Sequence, residues 1–459
     1  MKRPNILILL TDQQRWDTLH CNGNDLISTP NLDSLAERGV TFTNAYCNCP
    51  VCMPSRMSLL TGRYPASLGI RCNGIELPED TQCLQHILSL YGYTTANLGK
   101  LHFKNHASQF RDHREPHPKY GFDRLILSDE PGCYDDAYIK WVERKAPDQV
   151  AKCRCDTPPA WTGEKISIHP RGTHTPYVFA GDENLTHSAF VADETATFIR
   201  QTNEPFFAIA GFYAPHCPIN PPQRFVDMYD PDDMPLPQRN PGQNYHDVSD
   251  EQWRKVKAYY YALISHVDDQ IGRILEALRE SGKMEDTIII FTADHGEHLG
   301  DHGLVGKGAP FDSCTRVPLI ISAPSHFPQR GQSTAFVELV DLAPTILDFA
   351  GIQTPPEMQG RSLHAFLQGT TTKHREHAFI EHAFPGTNQA YKALRTEEHL
   401  YVINAEGHET LYDLNEDPHQ LHDVAPGCDR TSILSECRHL LLQRWFEAER
   451  RGPFRTGMY

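Results

Sequence analysis

Short apolar runs alternate with helical patterns through the first three quarters of the chain, and this alternation constrains the fold more than any other feature. The apolar runs, which are rich in β-branched residues as strands are, cover residues 5–10, 94–98, 206–212, 287–292 and 318–322. The helical patterns between them cover residues 30–38, 251–280 and 340–350. Strands that are apolar throughout must be buried on both faces. The pattern therefore predicts an α/β fold with a large, mostly parallel sheet sandwiched by helices.

The pattern of apolar and polar residues changes at about His364. Short antiparallel strands are predicted at residues 377–382, 390–394 and 400–404, and a terminal helix at 430–449. At 459 residues the chain is too long for one ordinary core. We therefore predict a large domain over residues 1–363 and a small C-terminal α+β subdomain over residues 364–459.

Composition excludes several classes of partner. The formal net charge of −16 argues against nucleic acid, because phosphate binding needs a basic face. We also predict no membrane segment, since no apolar run is long enough to span a bilayer. The first apolar run stops at Thr11 and Asp12, which favours a buried strand over a signal peptide. Without an export signal, the thirteen cysteines are expected to be mostly reduced, and we predict a cytoplasmic protein.

Polar clusters follow four of the predicted strands. Ligands of open α/β sheets bind beyond the carboxyl ends of the strands. The clusters are Asp12-Gln13, Gly99-Lys100-Leu101-His102, Pro215-His216 and Asp294-His295-Gly296-Glu297. The set Asp12, Gln13, Asp294 and His295 predicts an oxygen-rich divalent site that suits Ca²⁺, Mg²⁺ or Mn²⁺, although the histidine tilts the site slightly towards a transition metal. A zinc pair of His295 and His298 is disfavoured because HGEH lacks the HExxH spacing.

The stretch CNCPVCMPSR contains Cys47, Cys49 and Cys52, followed by Arg56. A zinc cluster is disfavoured because the three cysteines are crowded and lack a nearby second pair. The alternative is a loop that enters a helix at about Pro54, which places Cys52 by the helix N-terminus, where negative charge is favoured. Arg56, one turn further on, can fork onto an oxyanion. This arrangement suits a nucleophile and an anionic substrate.

The sequence from Cys52 to Arg56, followed by Leu60-Thr61-Gly62-Arg63, resembles the signature of the type I sulfatases, in the alkaline phosphatase superfamily. The resemblance covers nearly the whole chain. Its further motifs are Pro4-Asn5-Ile6, Asp12-Gln13, Thr29-Pro30-Asn31-Leu32-Asp33, Gly92-Tyr93, Gly99-Lys100, His102, Pro215-His216, Asp294-His295-Gly296-Glu297, Lys307 and Leu411-Tyr412-Asp413-Leu414. It implies an alkaline phosphatase-like fold, one divalent cation with Ca²⁺ preferred, and oxidation of Cys52 to formylglycine by a maturation enzyme.

The resemblance also implies roles for single residues. Asp12, Gln13, Asp294 and His295 would hold the metal. Arg56 and Lys100 would stabilise the hydrated aldehyde and the transition state, His216 with Lys307 would protonate the leaving alcohol, and His102 is the candidate base. Gln13 and His295 replace the aspartate and asparagine common among arylsulfatases, which leaves the metal identity open.

Three further residues are candidate substrate contacts. Asn73 occupies a position that resembles a substrate-contacting asparagine of phosphonate monoester hydrolases, although Asn-Gly is first a turn signal. Arg111 and Arg114 lie in a basic, histidine-rich stretch over residues 104–119. That stretch is either a solvated loop or a reader of a carboxylate or second sulfate on a sugar.

Three functions are compatible with these residues. The first is a sulfuric ester hydrolase that releases sulfate from a small anionic ester, above all a sulfated saccharide. The second cleaves phosphonate monoesters or phosphate diesters with the same site. The third is a non-catalytic metal-binding protein in which Cys52 stays a thiol. The sequence leaves open whether the chain forms a homo-oligomer.

Overall fold

A computed structural model describes residues 3–104, 117–133, 135–155, 174–384, 389–426 and 431–449. Its larger sheet has eight strands in the order β4-β3-β5-β1-β6-β7-β2-β8. They are β1 Asn5–Asp12, β2 Gly39–Tyr46, β3 Thr94–Gly99, β4 Arg124–Leu127, β5 Phe206–Pro215, β6 Thr287–Ala293, β7 Leu319–Ser322 and β8 Gly331–Glu338. All neighbouring pairs are parallel except those that β7 makes with β6 and β2. The predicted large, mostly parallel sheet is confirmed.

Helices cover both faces of this sheet. They are α1 Pro30–Glu37, α2 Cys52–Thr61, α3 Pro65–Leu68, α4 Leu84–Leu90, α5 Ala137–Lys145, α6 His187–Gln201, α7 Gln223–Val226, α8 Asp250–Glu280, α9 Asp312–Thr315, α10 Leu342–Phe349 and α11 His364–Leu367. Leu7 and Leu9 of β1 belong to the core under α6 and α8, whereas Ile6 and Ile8 belong to the core under α2, α4 and α10. Because successive strand residues point to opposite faces, the all-apolar sequence of β1 fits a strand buried on both sides.

The C-terminal part forms a second, four-stranded antiparallel sheet in the order β12-β11-β10-β9. Its strands are β9 His377–Ala383, β10 Ala390–Thr396, β11 His399–Asn404 and β12 Glu409–Asp413, and α12 Thr431–Glu449 packs against β9 and β10. The predicted small α+β subdomain is confirmed as a fold element. Its boundary between residues 363 and 364 stays a prediction.

Two sequence-based expectations differ from the structure in detail. Helix α2 begins at Cys52 and not at about Pro54. Pro54 lies in the first turn, where its missing N–H costs nothing because that N–H has no partner within the helix. Strands β2, β4, β8 and β12 were not predicted, and β8 shows why, since its first half, Gly331 to Thr334, is polar and largely exposed.

The structure also bears on the membrane prediction. Within the described ranges, no helix combines the length and apolar character needed to cross a bilayer.

Candidate active site

The carboxyl ends of four parallel strands converge on one buried cluster. Asp12 ends β1, Lys100 follows β3, His216 follows β5 and Asp294 follows β6. The Lys100 ammonium lies 2.7 Å from the Asp12 carboxylate. Because β3, β5, β1 and β6 are adjacent and parallel, residues that are far apart in the chain meet at one edge.

Cys52 lies at the first residue of α2 and is 1% exposed. Its Sγ is 2.7 Å from Lys307 Nζ, 3.3 Å from His295 Nε2 and 3.8 Å from Asp12 Oδ1. Burial and the Asp12 carboxylate oppose ionisation of the thiol. Lys307, Lys100 and His295 outweigh both and lower the pKa of Cys52 to about 6. The position therefore stabilises a negatively charged nucleophile, as a helix N-terminus flanked by cations should.

The Arg56 guanidinium joins the two carboxylates of the cluster. Its Nε donates to Asp294 at 2.6 Å, its Nη2 donates to Asp12 at 3.2 Å, and its Nη1 donates to the backbone oxygen of Lys100 at 3.2 Å. The side chain is 1% exposed. In the structure the guanidinium holds Asp12 and Asp294 in place, and the expected contact of Arg56 with an oxyanion stays a prediction.

Four side chains form a candidate metal centre. One ligand atom from each of Asp12, Cys52, Asp294 and His295 lies within 4.8 Å of all the others, and all four residues are buried. Burial, together with the charge of Asp12, raises the pKa of Asp294 in spite of Arg56. Arg56 offsets the repulsion between these two buried carboxylates only in part, because the pKa of Asp294 stays raised. The donors therefore fit a divalent ion.

Gln13 adds an observation that favours the metal. Its Oε1 is buried and has no hydrogen-bond partner among the described residues. The residue has a left-handed backbone at φ 64°, and its N–H donates to Asp294 Oδ1 at 3.0 Å. Its Nε2 donates to Glu297. A buried oxygen without a donor costs free energy, which a bound cation would recover.

The alternative zinc sites do not form in the described parts of the chain. The Nδ1 of His298 lies 2.9 Å from Ser313 Oγ, and His298 is outside the four-residue cluster. The thiols of Cys47 and Cys49 are fully buried, and burial raises the pKa of each well above its ordinary value. These two cysteines are packing residues.

Lys307 and His216 lie on the open side of the cluster. Burial opposes the charge of Lys307, but Cys52, Asp12 and Asp294 raise its pKa above the ordinary value. Burial and then Lys307 lower the pKa of His216. The His216 Nδ1 lies 2.8 Å from the carbonyl oxygen of Cys217 and can only donate to it. The proton on Nδ1 is therefore fixed, and Nε2 is the nitrogen that can serve a substrate.

The remaining predicted residues lie around this cluster or outside the described ranges. His102 follows β3 with φ 58°, and its N–H donates to Asp129 Oδ1 at 2.9 Å. Asn73 Oδ1 accepts a 3.0 Å hydrogen bond from the N–H of Met53, next to Cys52. Arg111 and Arg114 lie outside the described residues, so their substrate contact stays a prediction.

Several supporting residues were not singled out from the sequence. Glu297 accepts the N–H groups of Leu299 at 3.1 Å and Gly306 at 2.5 Å in addition to its bond with Gln13. Asp129 accepts from the N–H of Leu101 at 2.7 Å, which fixes the turn after β3. The available signal for Glu297 was its position in the polar cluster Asp294-His295-Gly296-Glu297, directly after an apolar strand.

Comparisons with known proteins agree with this geometry. The family model described as Sulfatase matches residues 4–352, and the model described as N-sulphoglucosamine sulphohydrolase, C-terminal, matches residues 300–445. The chain is 31% identical to an arylsulfatase of Clostridium perfringens, over 96% of this chain and 94% of the relative. It is 26% identical to an N-acetylglucosamine-6-O-sulfatase of Bacteroides thetaiotaomicron, over 96% of this chain and 86% of the relative.

Among solved structures, the chain resembles the phosphonate monoester hydrolase of Agrobacterium radiobacter, with a TM-score of 0.85 and 28% identity over 97% of this chain and 96% of that one. The two proteins share the fold, but the family models and the curated relatives point to sulfate chemistry. The family implies a divalent metal and a formylglycine, and the buried Asp/Cys/His cluster fits both. The chain belongs to the type I sulfatase family and is a sulfuric ester hydrolase with an alkaline phosphatase-like fold.

Proposed function

We propose that residue 52, once oxidised from cysteine to formylglycine, is the nucleophile of this sulfatase, and that the substrate is a sulfated saccharide. The observation that carries the proposal is the position of Cys52 Sγ, which contacts Lys307 at 2.7 Å and His295 at 3.3 Å at the start of a buried helix. Sγ marks the place of an oxygen on Cβ of the matured residue. An oxygen there would lie beside a cation and beside the candidate metal ligands.

The two absent groups supply distinct chemistry. Once oxidised and hydrated, residue 52 would supply a hydroxyl as the nucleophile. Asp12, Gln13, Asp294 and His295 would hold the divalent ion, which would supply a positive charge for the sulfate oxygens. We propose Ca²⁺ as the ion because carboxylate and amide oxygens predominate in this donor set.

The residues of the chain do the remaining work. Lys307 and Lys100 stabilise negative charge at residue 52 and on the sulfate, since both lower the pKa of the Cys52 thiol. His216 gives the proton on Nε2 to the departing alcohol. In the substrate-free protein this histidine is neutral, because burial and Lys307 lower its pKa. The negative charge of a bound sulfate ester would favour its protonation. His102 is the proposed base that takes a proton when sulfate leaves.

The saccharide assignment rests on relatives and on two predicted contacts. One relative is an N-acetylglucosamine-6-O-sulfatase. Arg111 and Arg114 are proposed to bind a carboxylate or second sulfate on the sugar. Replacing both with glutamine should raise KM for an acidic sulfated disaccharide and leave KM for a small aryl sulfate unchanged. If the wild type and the double variant had the same KM for the disaccharide, Arg111 and Arg114 would not bind the sugar.

The decisive test uses protein whose maturation has been verified by mass spectrometry of the peptide around residue 52. We would measure kcat/KM for p-nitrophenyl sulfate and for a p-nitrophenyl phosphonate, which share one leaving group. A preference for sulfate supports the proposal, and Cys52→Ala should abolish turnover while the far-ultraviolet circular dichroism spectrum stays the same. Full activity of Cys52→Ala would show that residue 52 is not the nucleophile.

A second activity on phosphonate monoesters is the alternative, favoured by the TM-score of 0.85 to a phosphonate monoester hydrolase. A higher kcat/KM for the phosphonate would make it the main activity, with the same residues in the same roles. We also propose maturation by a formylglycine-generating enzyme and a cytoplasmic location. Protein produced without that enzyme should keep a thiol at residue 52 and show no turnover.

A further inference from the structure

A second cavity lies between the large sheet domain and the C-terminal sheet. Its volume is about 440 Å³, which is in the range of small-molecule sites. Its lining residues come from the chain after β1, from residues 235–238, from α8, from the chain after β6 and from the C-terminal part between residues 395 and 420. We call it the seam cavity. None of its lining residues is a proposed catalytic residue or metal ligand.

Lys257, on α8, lines the seam cavity and is only 7% exposed. Within the described ranges it makes no hydrogen bond and no ion pair. Burial lowers the pKa of its ammonium group to about 8, although the charge of Asp301 opposes that change. The described residues supply no partner for this ammonium group, which lines the seam cavity on a largely buried side chain, so the position suggests an anion that the chain itself does not provide.

The acidic residues around Lys257 are already engaged by arginines. The pairs are Arg15 with Asp17 at 2.7 Å, Arg15 with Asp301 at 2.7 Å and Arg395 with Asp312 at 3.0 Å. Asp301 also accepts from the N–H of Gln238 at 2.7 Å. The remaining carboxylate of the lining belongs to Glu397, which is exposed to solvent. With Arg316, which lies 3.7 Å from Asp312, three arginines match these three acids in number before Lys257 is counted.

Gln420 presents a second unused donor from the C-terminal side of the cavity. It is 2% exposed, and its Oε1 accepts the N–H of Asp312 at 3.0 Å. Because Oε1 is the acceptor, the other amide atom is Nε2, a donor, and it has no hydrogen-bond partner among the described residues. One buried cation and one buried amide donor therefore line the same cavity from two parts of the chain.

We propose that the seam cavity binds an anionic group, a sulfate or a carboxylate, through an ion pair with Lys257 and a hydrogen bond from Gln420. This site is separate from the one that cleaves sulfate esters. Two sources can supply the group: a free inorganic or organic anion, or an acidic substituent on a saccharide chain. In either case the ligand bridges α8 and the C-terminal part, and it satisfies two groups that folding leaves without partners.

Binding to the full-length protein tests the proposal by isothermal titration calorimetry. The probes are sodium selenate, sodium glucuronate and a sulfated tetrasaccharide. The variants are Lys257→Met and Gln420→Leu. The matched control is Lys255→Met, an exposed lysine on the same helix. Selenate also fits the catalytic cluster, so the number of bound selenate ions is compared between wild type and variant.

The expected result is loss of one selenate equivalent, or at least tenfold weaker binding of one probe, in Lys257→Met, with a smaller loss in Gln420→Leu. Loss with selenate or glucuronate assigns the free anion as the source, and loss with the tetrasaccharide alone assigns the saccharide substituent. Lys257→Met should fold, because it removes an unpaired buried charge. Unchanged binding of all three probes in both variants overturns the proposal, whatever the turnover of the enzyme.

Discussion

This protein has two buried clusters of acidic and cationic side chains, and the two clusters have different roles. The first, around Cys52, is the proposed catalytic cluster, called the catalytic cluster below. The second, which we call the anchor cluster, ties the C-terminal part to the large domain through Glu338, Asp341, Arg375 and Arg444. In the anchor cluster, Arg375 binds Asp341 at 2.7 and 2.5 Å, and Arg444 binds both Glu338 oxygens at 2.8 Å. All four residues are at most 6% exposed.

The difference lies in how completely the charges are matched. Each carboxylate of the anchor cluster faces a guanidinium, and Arg375 with its neighbours holds the pKa of Asp341 well below its usual value against burial. In the catalytic cluster three cations surround two carboxylates and one thiol, and the pKa of Asp294 is raised. One cluster is closed and stabilises the fold. The other contains a carboxyl with a raised pKa and a buried Gln13 oxygen without a hydrogen-bond partner among the described residues, which fits a bound metal.

The sharpest contrast comes from Lys307→Met. Loss of the cation 2.7 Å from residue 52 should reduce kcat/KM about 10³-fold, or about 4 kcal/mol of transition-state stabilisation. The melting temperature should fall modestly, because Cys52, Asp12 and Asp294 stabilise the charge of Lys307 in the folded protein. Steady-state kinetics and thermal unfolding measure both effects. Lys255→Met is the control, and an activity equal to that of the control would contradict the assigned role.

Asp341→Asn should show the opposite behaviour. It removes the carboxylate that Arg375 hydrogen-bonds and leaves only Glu338 at 3.4 Å, so the free energy of unfolding should fall by about 3 kcal/mol. The catalytic cluster is untouched, and kcat/KM of the folded protein should change little. Urea unfolding of this variant and of Asp348→Asn, an exposed acid on α10, measures the effect. Equal stability of the two variants would show that the anchor cluster contributes nothing.

The two clusters should also differ in how their variants respond to added metal. Ca²⁺ at 100 times its Kd should raise the free energy of unfolding of metal-free protein by about 2.7 kcal/mol. Asp294→Asn should lose this increase, whereas Asp341→Asn should keep it. The readout is the melting temperature as a function of Ca²⁺ concentration. A response that survives in Asp294→Asn would place the ion elsewhere.

Lowering the pH should reduce the stability that the anchor cluster contributes. The pKa of Asp341 is lower in the folded chain than in the unfolded chain, so its contribution is complete above about pH 4 and is lost as the pH falls below that value. Below pH 4 the wild type should lose about 1.4 kcal/mol per pH unit more than Asp341→Asn. Urea unfolding from pH 5 to pH 3 tests this, and parallel curves would contradict it.

The smallest expected effect concerns Asn73. Asn73→Ala removes the acceptor for the N–H of Met53, and the free energy of unfolding should fall by about 1 kcal/mol. Asn73→Asp keeps an acceptor oxygen at the helix N-terminus and should retain this stability. If Asn73 also contacts substrate, both variants should raise KM. An unchanged KM in both would leave Asn73 with a structural role alone.

Much of the fold and part of the site could be predicted from the sequence. The all-apolar runs identified β1, β3, β5, β6 and β7, and the polar residues after four of these strands meet in the catalytic cluster. Strand β8 was missed because its exposed half has no apolar pattern. Arg56 was placed in this cluster, but its hydrogen bonds to Asp12 and Asp294 were not predicted, since a motif gives no distances.

The anchor cluster and the seam cavity had no sequence signal. Glu338 and Arg444 are 106 residues apart, and Lys257 lies in an ordinary amphipathic helix. Ion pairs at such separation depend on how two folded units pack, which local patterns do not encode.

The sequence by itself determined the sheet, the special cysteine and the residues at the strand ends, because strand burial and strand-end position follow from local apolar pattern. Only the tertiary structure decided which charges are matched. Burial magnifies each charge, and distances of a few ångströms separate a closed ion pair from an open site.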